Sequence, residues 1–236
     1  MHDLLCSQAK TFLSQPIPLF INGTWTNSQG GKTTDVVDPS SGLKVATVAS
    51  GNEQDVDMAV VAADKAFKTW SALAPKERAH YLNLLADKLE SEAQTLAQLE
   101  ALDVGKAFVN ADGFDIPFGI ECVRYYADLS VTADYGKTLE LKDIEARVHR
   151  APYGVCGFIF PWNFPFDLLM WNVMPALAAG NTVVIKPAEL TPLTTLYVCK
   201  LAEDVGIPAG VINVVVGAGR AVGTPLIEHP KTRRIS

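Results

Sequence analysis

Residues 154–219 read GVCGFIFPWNFPFDLLMWNVMPALAAGNTVVIKPAELTPLTTLYVCKLAEDVGIPAGVINVVVGAG. Three runs within them are almost wholly apolar: GVCGFIF (154–160), NTVVIKP (181–187) and VINVVVG (211–217). Strands covered on both faces read this way. Between them lie FDLLMWNVMPALAAG and TPLTTLYVCKLAEDVG, which read as helices. Apolar strands alternating with helices over short links predict parallel βαβ units, and so an α/β fold with a Rossmann-like sheet. Asp167 is the only charged residue between positions 154 and 185. Pro161, Pro165, Pro175, Gly157, Gly180, Asn163 and Asn172 punctuate that stretch, so it reads as a buried core and not as a membrane span.

Upstream, LFINGTWT (19–26) predicts a strand with an Asn-Gly turn, and VVDPSSGLKVATVAS (36–50) a hairpin around Pro39 and Gly42. From Asn52 the apolar spacing becomes helical, with Val56, Ala59, Val60, Ala63 and Phe67 on one face. Ala74-Pro75 breaks this helix and starts a second one. That one is predicted to run on to Asp103, with Leu82, Leu85, Leu89, Leu96 and Leu99 on one side and Gly105 as its stop. A third helix is expected over 115–129. Residues 131–150, VTADYGKTLELKDIEARVHR, predict a polar two-stranded arm projecting from the body. Residues 223–228 suggest a short helix, and the final RRIS reads as a strand just starting.

The 236 residues suit one large domain or two small ones, long enough to bury roughly 70% of the unfolded surface. Hydrophobic residues at 48% and charged residues at 19% exclude wholesale disorder. The net charge of -6 argues against a nucleic-acid partner, because phosphate-tracking surfaces are basic. Cys6, Cys122, Cys156 and Cys199 form no Cys-x-x-Cys pair, which predicts a reducing compartment, the cytoplasm. Asp3 and the lack of a long apolar run argue against a secretory signal at the N-terminus. Cys156 and Cys199 read as buried structural thiols. His2, His80, His149 and His229 have no ligand spacing, so no metal site is expected.

Ligand sites in wound α/β sheets form outside the carboxyl ends of the strands, and three candidate segments fall there. In Phe160-Pro161-Trp162-Asn163-Phe164-Pro165, two prolines and a Trp hold Asn163 in place. Its amide is either a donor to a developing oxyanion or a rigid-turn residue with an Asx-type hydrogen bond. In Lys186-Pro187-Ala188-Glu189, the ammonium and carboxylate either grip one ligand, as ribose-binding carboxylates do, or form a surface ion pair with Glu189 capping a helix. Gly217-Ala218-Gly219-Arg220-Ala221-Val222-Gly223 is either a phosphate-cradling loop or a tight turn. Its last glycine comes one residue too late for the standard dinucleotide fingerprint, and its strand is the third and not the first.

In this order and spacing, PWNFP, KPAE and VGAGRAVG, with the leading INGTW and VVDPSSG, resemble the aldehyde dehydrogenase superfamily over residues 19–236, nearly the whole chain. Members are NAD(P)-dependent enzymes that oxidise aldehydes to carboxylic acids through a covalent thiohemiacetal and thioester. The resemblance implies that Asn163 helps hold the oxyanion and that Lys186 and Glu189 bind the adenine ribose. Phe160, Pro161, Trp162, Gly219 and Arg220 would line the cofactor cleft. It implies NAD as cofactor in preference to NADP, an aldehyde substrate and a homo-oligomer joined through the 131–150 arm. Phe166, Met170 and Trp171 are expected either at an apolar tunnel wall or in a helix core.

Members are roughly twice this long. Residues 1–236 are therefore expected to be the truncated cofactor domain, with the catalytic domain, its general-base Glu and its nucleophilic Cys absent. A non-catalytic nucleotide- or partner-binding protein, or a chain that misfolds, are the alternatives.

Overall fold

The computed structural model describes residues 4–236. A helix that the sequence reading did not foresee comes first, α1 (Ser7–Leu13), with Ala9 and Leu13 buried. β1 (Leu19–Ile21) and β2 (Thr24–Thr26) form a hairpin closed by Asn22-Gly23, both at positive φ, the turn that matches strand twist. β3 (Thr33–Val37) and β4 (Lys44–Ala49) form the expected second hairpin. In α2 (Glu53–Trp70) a capping box closes the first turn: the Asn52 side chain accepts from the Gln54 and Asp55 amides, and Asp55 accepts from the Asn52 amide. Val56, Ala59, Val60 and Ala63 are buried as the spacing requires, and Trp70 extends the row.

The long second helix is in fact two, α3 (Pro75–Ser91) and α4 (Ala93–Val104), broken at Glu92. Neither Gly nor Pro marks the break, which is why periodicity carried through it. The Glu92 side chain instead accepts from Thr95 and from the Tyr197 hydroxyl, 105 residues away. After α4 come a short helical turn, α5 (Phe108–Asn110), and a π-helical turn over Ala111–Asp115. They lead into α6 (Ile116–Thr132). The arm thus begins later than expected, because residues 131 and 132 still belong to α6. Its strands are β5 (Gly136–Leu141) and β6 (Ile144–His149), paired antiparallel.

The remaining elements are β7 (Val155–Ile159), α7 (Pro165–Ala178), β8 (Thr182–Lys186), α8 (Leu193–Asp204), β9 (Ile212–Val214), α9 (Thr224–Glu228) and β10 (Thr232–Ile235). Strand order is β10-β7-β8-β9-β1-β2. The first four are parallel, with Val155 opposite Thr182 and Ile185 opposite Val214. β1 joins β9 antiparallel, so the N-terminal hairpin extends the sheet instead of standing apart. α7 and α8 pack against each other and against the strands they connect, on one face. The step from β9 back past β7 to β10 reverses direction and puts α9, with α2, on the other. α3, α4 and α6 form a further layer over α7 and α8. Among the described residues no helix is long and apolar enough to cross a membrane.

Candidate active site

The strand order reverses at β7, whose neighbours are β8 on one side and β10 on the other. Crevices form at such switch points, outside the carboxyl ends of the strands. Three chain segments leave the sheet together here. The Phe160 amide donates to Lys186 O at 3.1 Å, and the Val215 amide to Ile185 O at 2.9 Å. Loops 160–164, 187–190 and 215–223 are thereby anchored side by side.

Within the first loop Pro161, Trp162 and Asn163 are exposed. The Asn163 side chain makes no hydrogen bond among the described residues, so the Asx turn that competed for it is not formed. The Phe160 ring is buried and stacks on Phe158 at 5.8 Å between centroids, which leaves its main chain as the part a ligand could meet. Phe166 and Met170 are fully buried and belong to the helix core; Trp171 is exposed and meets Phe118 edge-on.

In the second loop Lys186 is buried, and among the described residues Nζ donates only to Pro187 O, at 2.9 Å. Burial pulls its pKa down, with Glu189 opposing. Glu189 is half-buried and forms no ion pair with Lys186 among the described residues. Nor does it cap α8, which begins at Leu193. That task falls to Asp103 of α4, whose carboxylate accepts from the Leu193 amide at 2.7 Å. Neither surface reading of Lys186 and Glu189 survives.

In the third loop, residues 219–223 form a π-helical turn leading into α9. A Cβ on Gly217 would lie 2.9 Å from Gly51 O, so the backbone packing itself requires glycine there. A Cβ on Gly219 would meet nothing within 4 Å. Gly219 and Arg220 are both exposed, and Arg220 has no partner among the described residues.

Beneath the first loop lies a group that the sequence reading missed. Glu100, Asp103, Asp115 and Asp167 are all buried, and Lys106 pairs with two of them: Glu100 at 3.3 Å and Asp115 at 2.5 Å. The residues come from α4, the π-helical turn and α7, so no short motif announces them. Burial raises the Glu100 carboxyl despite Lys106, and raises Asp103 further. Burial also pushes Asp167 up to about 7, with Asp115 and Glu100 adding and Lys106 opposing.

Its ordinary value is 3.8, so the folded protein holds a proton on Asp167 that the unfolded chain releases above about pH 4. The stability from this neutral acid is full below pH 4 and is lost as pH rises through 7. Asp167→Asn is expected to stabilise the protein at pH 8 by roughly 2–4 kcal/mol and to change little at pH 4. Melting temperatures at both pH values test this, and an equal difference at the two would refute it.

The match to known proteins covers the same elements. The profile of the aldehyde dehydrogenase family matches residues 25–236, and the chain belongs to that family. An aldehyde dehydrogenase of Alternaria alternata is 42% identical over 224 residues, covering 94% of this chain and 45% of the relative. Human retinaldehyde dehydrogenase 3 is 41% identical over 222 residues, 92% and 43% of the two chains. The NAD+ complex of an aldehyde dehydrogenase from Bacillus cereus superposes with a TM-score of 0.95 at 40% identity, covering 98% of this chain and 48% of that one. The chain thus spans about half the length of the relatives it matches.

Proposed function

We propose that this chain forms the cofactor-binding part of an NAD-dependent aldehyde dehydrogenase and supplies one arm of its oxyanion hole. The observation that carries the reading is a set of unsatisfied polar groups at adjacent strand ends. The buried Lys186 ammonium makes a single hydrogen bond, and the Glu189 carboxylate and the Asn163 amide make none among the described residues. A ribose needs such acceptors and donors for its hydroxyls, so these residues fit a dinucleotide. When bound, NAD supplies a hydride acceptor. Glu189 accepts from the ribose hydroxyls, Lys186 donates beside it, and the exposed loop at Gly219 and Arg220 borders the crevice with Pro161 and Trp162. Asn163 donates its amide N–H to the oxygen of the aldehyde as negative charge builds there.

The reaction's thiol lies, in this reading, in the remaining half of the relatives' length. The arm serves homo-oligomer formation. An isolated two-stranded hairpin is marginal in water, and Leu139, Ile144 and Val148 are exposed on it. Four free thiols suit the cytoplasm.

Glu189 also sets cofactor choice. NADP brings roughly 1.5 to 2 negative charges to the hydroxyl that Glu189 would bind. Like charges ~4 Å apart cost about 4 kcal/mol at an effective dielectric of 20, which Lys186 partly offsets. The full-length enzyme is expected to prefer NAD at least tenfold in kcat/KM. Glu189→Gln should narrow that preference by about tenfold. Steady-state assays with both cofactors decide it; equal or better use of NADP by the unmutated enzyme would sink the assignment.

A further inference from the structure

The buried ion cluster touches the Asn163 segment at two points. The Lys106 ammonium sits 4.5 Å from the centroid of the Phe164 ring, a cation–π distance. Phe164 follows Asn163 directly. Glu100 Oε1, which holds Lys106, also accepts a long hydrogen bond of 3.5 Å from the Phe166 amide in the first turn of α7. From the far side Asp115 fixes the same ammonium. Lys106 is the only basic side chain paired with any of the four buried carboxylates among the described residues. The chain reaches this place because Gly105 ends α4 at φ +76. A Cβ there would press on Pro39 at 2.5 Å, so this sharp reversal is reserved for glycine. It folds Lys106 back toward Glu100 of the helix just ended.

We infer that Lys106 is a positioning residue for Asn163: anchored by Glu100 and Asp115, it holds Phe164 and, through Glu100, the start of α7, and so fixes where the Asn163 amide is presented. The inference rests on the oxyanion role proposed for Asn163. A lysine that merely neutralised buried carboxylates would stabilise the whole fold. A positioning lysine acts on one loop, and its loss should leave the Lys186 and Glu189 end of the crevice intact.

The test uses the full-length enzyme with Lys106→Met, Lys106→Arg and Asp115→Asn. Lys106→Met should lower kcat ten- to a hundredfold while the Kd for NAD stays within twofold. Arginine keeps the charge and stacks well on an aromatic face, so Lys106→Arg should recover kcat to within about fivefold of the unmutated enzyme. Asp115→Asn touches neither the loop nor the crevice but loosens the anchor, and should fall between the two. Hydrogen exchange gives a readout without turnover. The Phe166 and Leu168 amides, which donate to Glu100 Oε1 and to Phe164 O, should exchange at least tenfold faster in Lys106→Met, with those of β8 unchanged.

An unmutated enzyme that oxidises no aldehyde defeats the functional reading alone, and the exchange result still decides the positioning role. Unchanged kcat in Lys106→Met overturns the inference. So does exchange that is unaltered at Phe166 and Leu168 or accelerated equally in β8. If Lys106→Met fails to fold, Asp115→Asn carries the same comparison.

Discussion

Residues 1–236 on their own, purified and given NAD and an aldehyde, are expected to form no NADH. Hydride leaves an aldehyde carbon readily only after a nucleophile has added to it, and the resemblance implies a cysteine thiolate in that role. None of the four thiols here is placed or poised for that. Cys156 is buried within β7, and burial pushes it up to about 11. Cys199 is sealed inside α8 and raised further still. Cys122 is half-buried in α6 and also raised by burial. Cys6, ahead of α1, lies 3.4 Å from the Thr95 hydroxyl, far along the chain from every strand-end loop. Absorbance at the NADH band over hours would detect even slow turnover. Activity that survives purification and vanishes on mutating one of these cysteines would show that the chain carries its own nucleophile.

In a full-length enzyme, Asn163→Ala is expected to lower turnover a hundredfold or more while leaving NAD affinity nearly intact. A single side-chain donor in an oxyanion hole contributes about 3 kcal/mol to the transition state. Asn163 is free to act this way, being exposed and making no hydrogen bond among the described residues. The loop should keep its shape in the variant, because its anchors lie elsewhere: the Phe160 amide on Lys186 O, the Phe164 ring under Lys106, and Pro165 starting α7. Single-turnover measurement of the acylation step separates this loss from slower product release. Near-unmutated acylation would return Asn163 to a turn residue.

Much of the frame was legible because it is written locally. A strand covered on both faces must be apolar at every position, and 154–160, 181–187 and 211–217 declare this without reference to anything distant. Proline and glycine mark where such a run ends, so PWNFP, KPAE and the glycine loop could be placed at strand ends before any contact was known. Their family likeness adds to the same local record. Other features depend on partners far along the chain. The break between α3 and α4 falls at Glu92, whose carboxylate accepts from the distant Tyr197 hydroxyl. β1 joins the main sheet because β9 leaves an edge open to it.

For the candidate site the division is sharper. That Lys186 and Glu189 follow one strand and Asn163 another was readable from the amino-acid sequence alone. That Lys186 is buried with a single hydrogen bond and Asn163 left with none among the described residues, and that Phe160 turns its ring into the core, required the packed sheet. Burial and hydrogen bonding are properties of the surroundings, not of the residue. Lys106 shows this most fully. In sequence it is one lysine after a helix-ending glycine. Only folding gathers Glu100, Asp115, Asp167 and the Phe164 ring around it, because desolvation and charge pairing act through space between segments that no spacing rule connects.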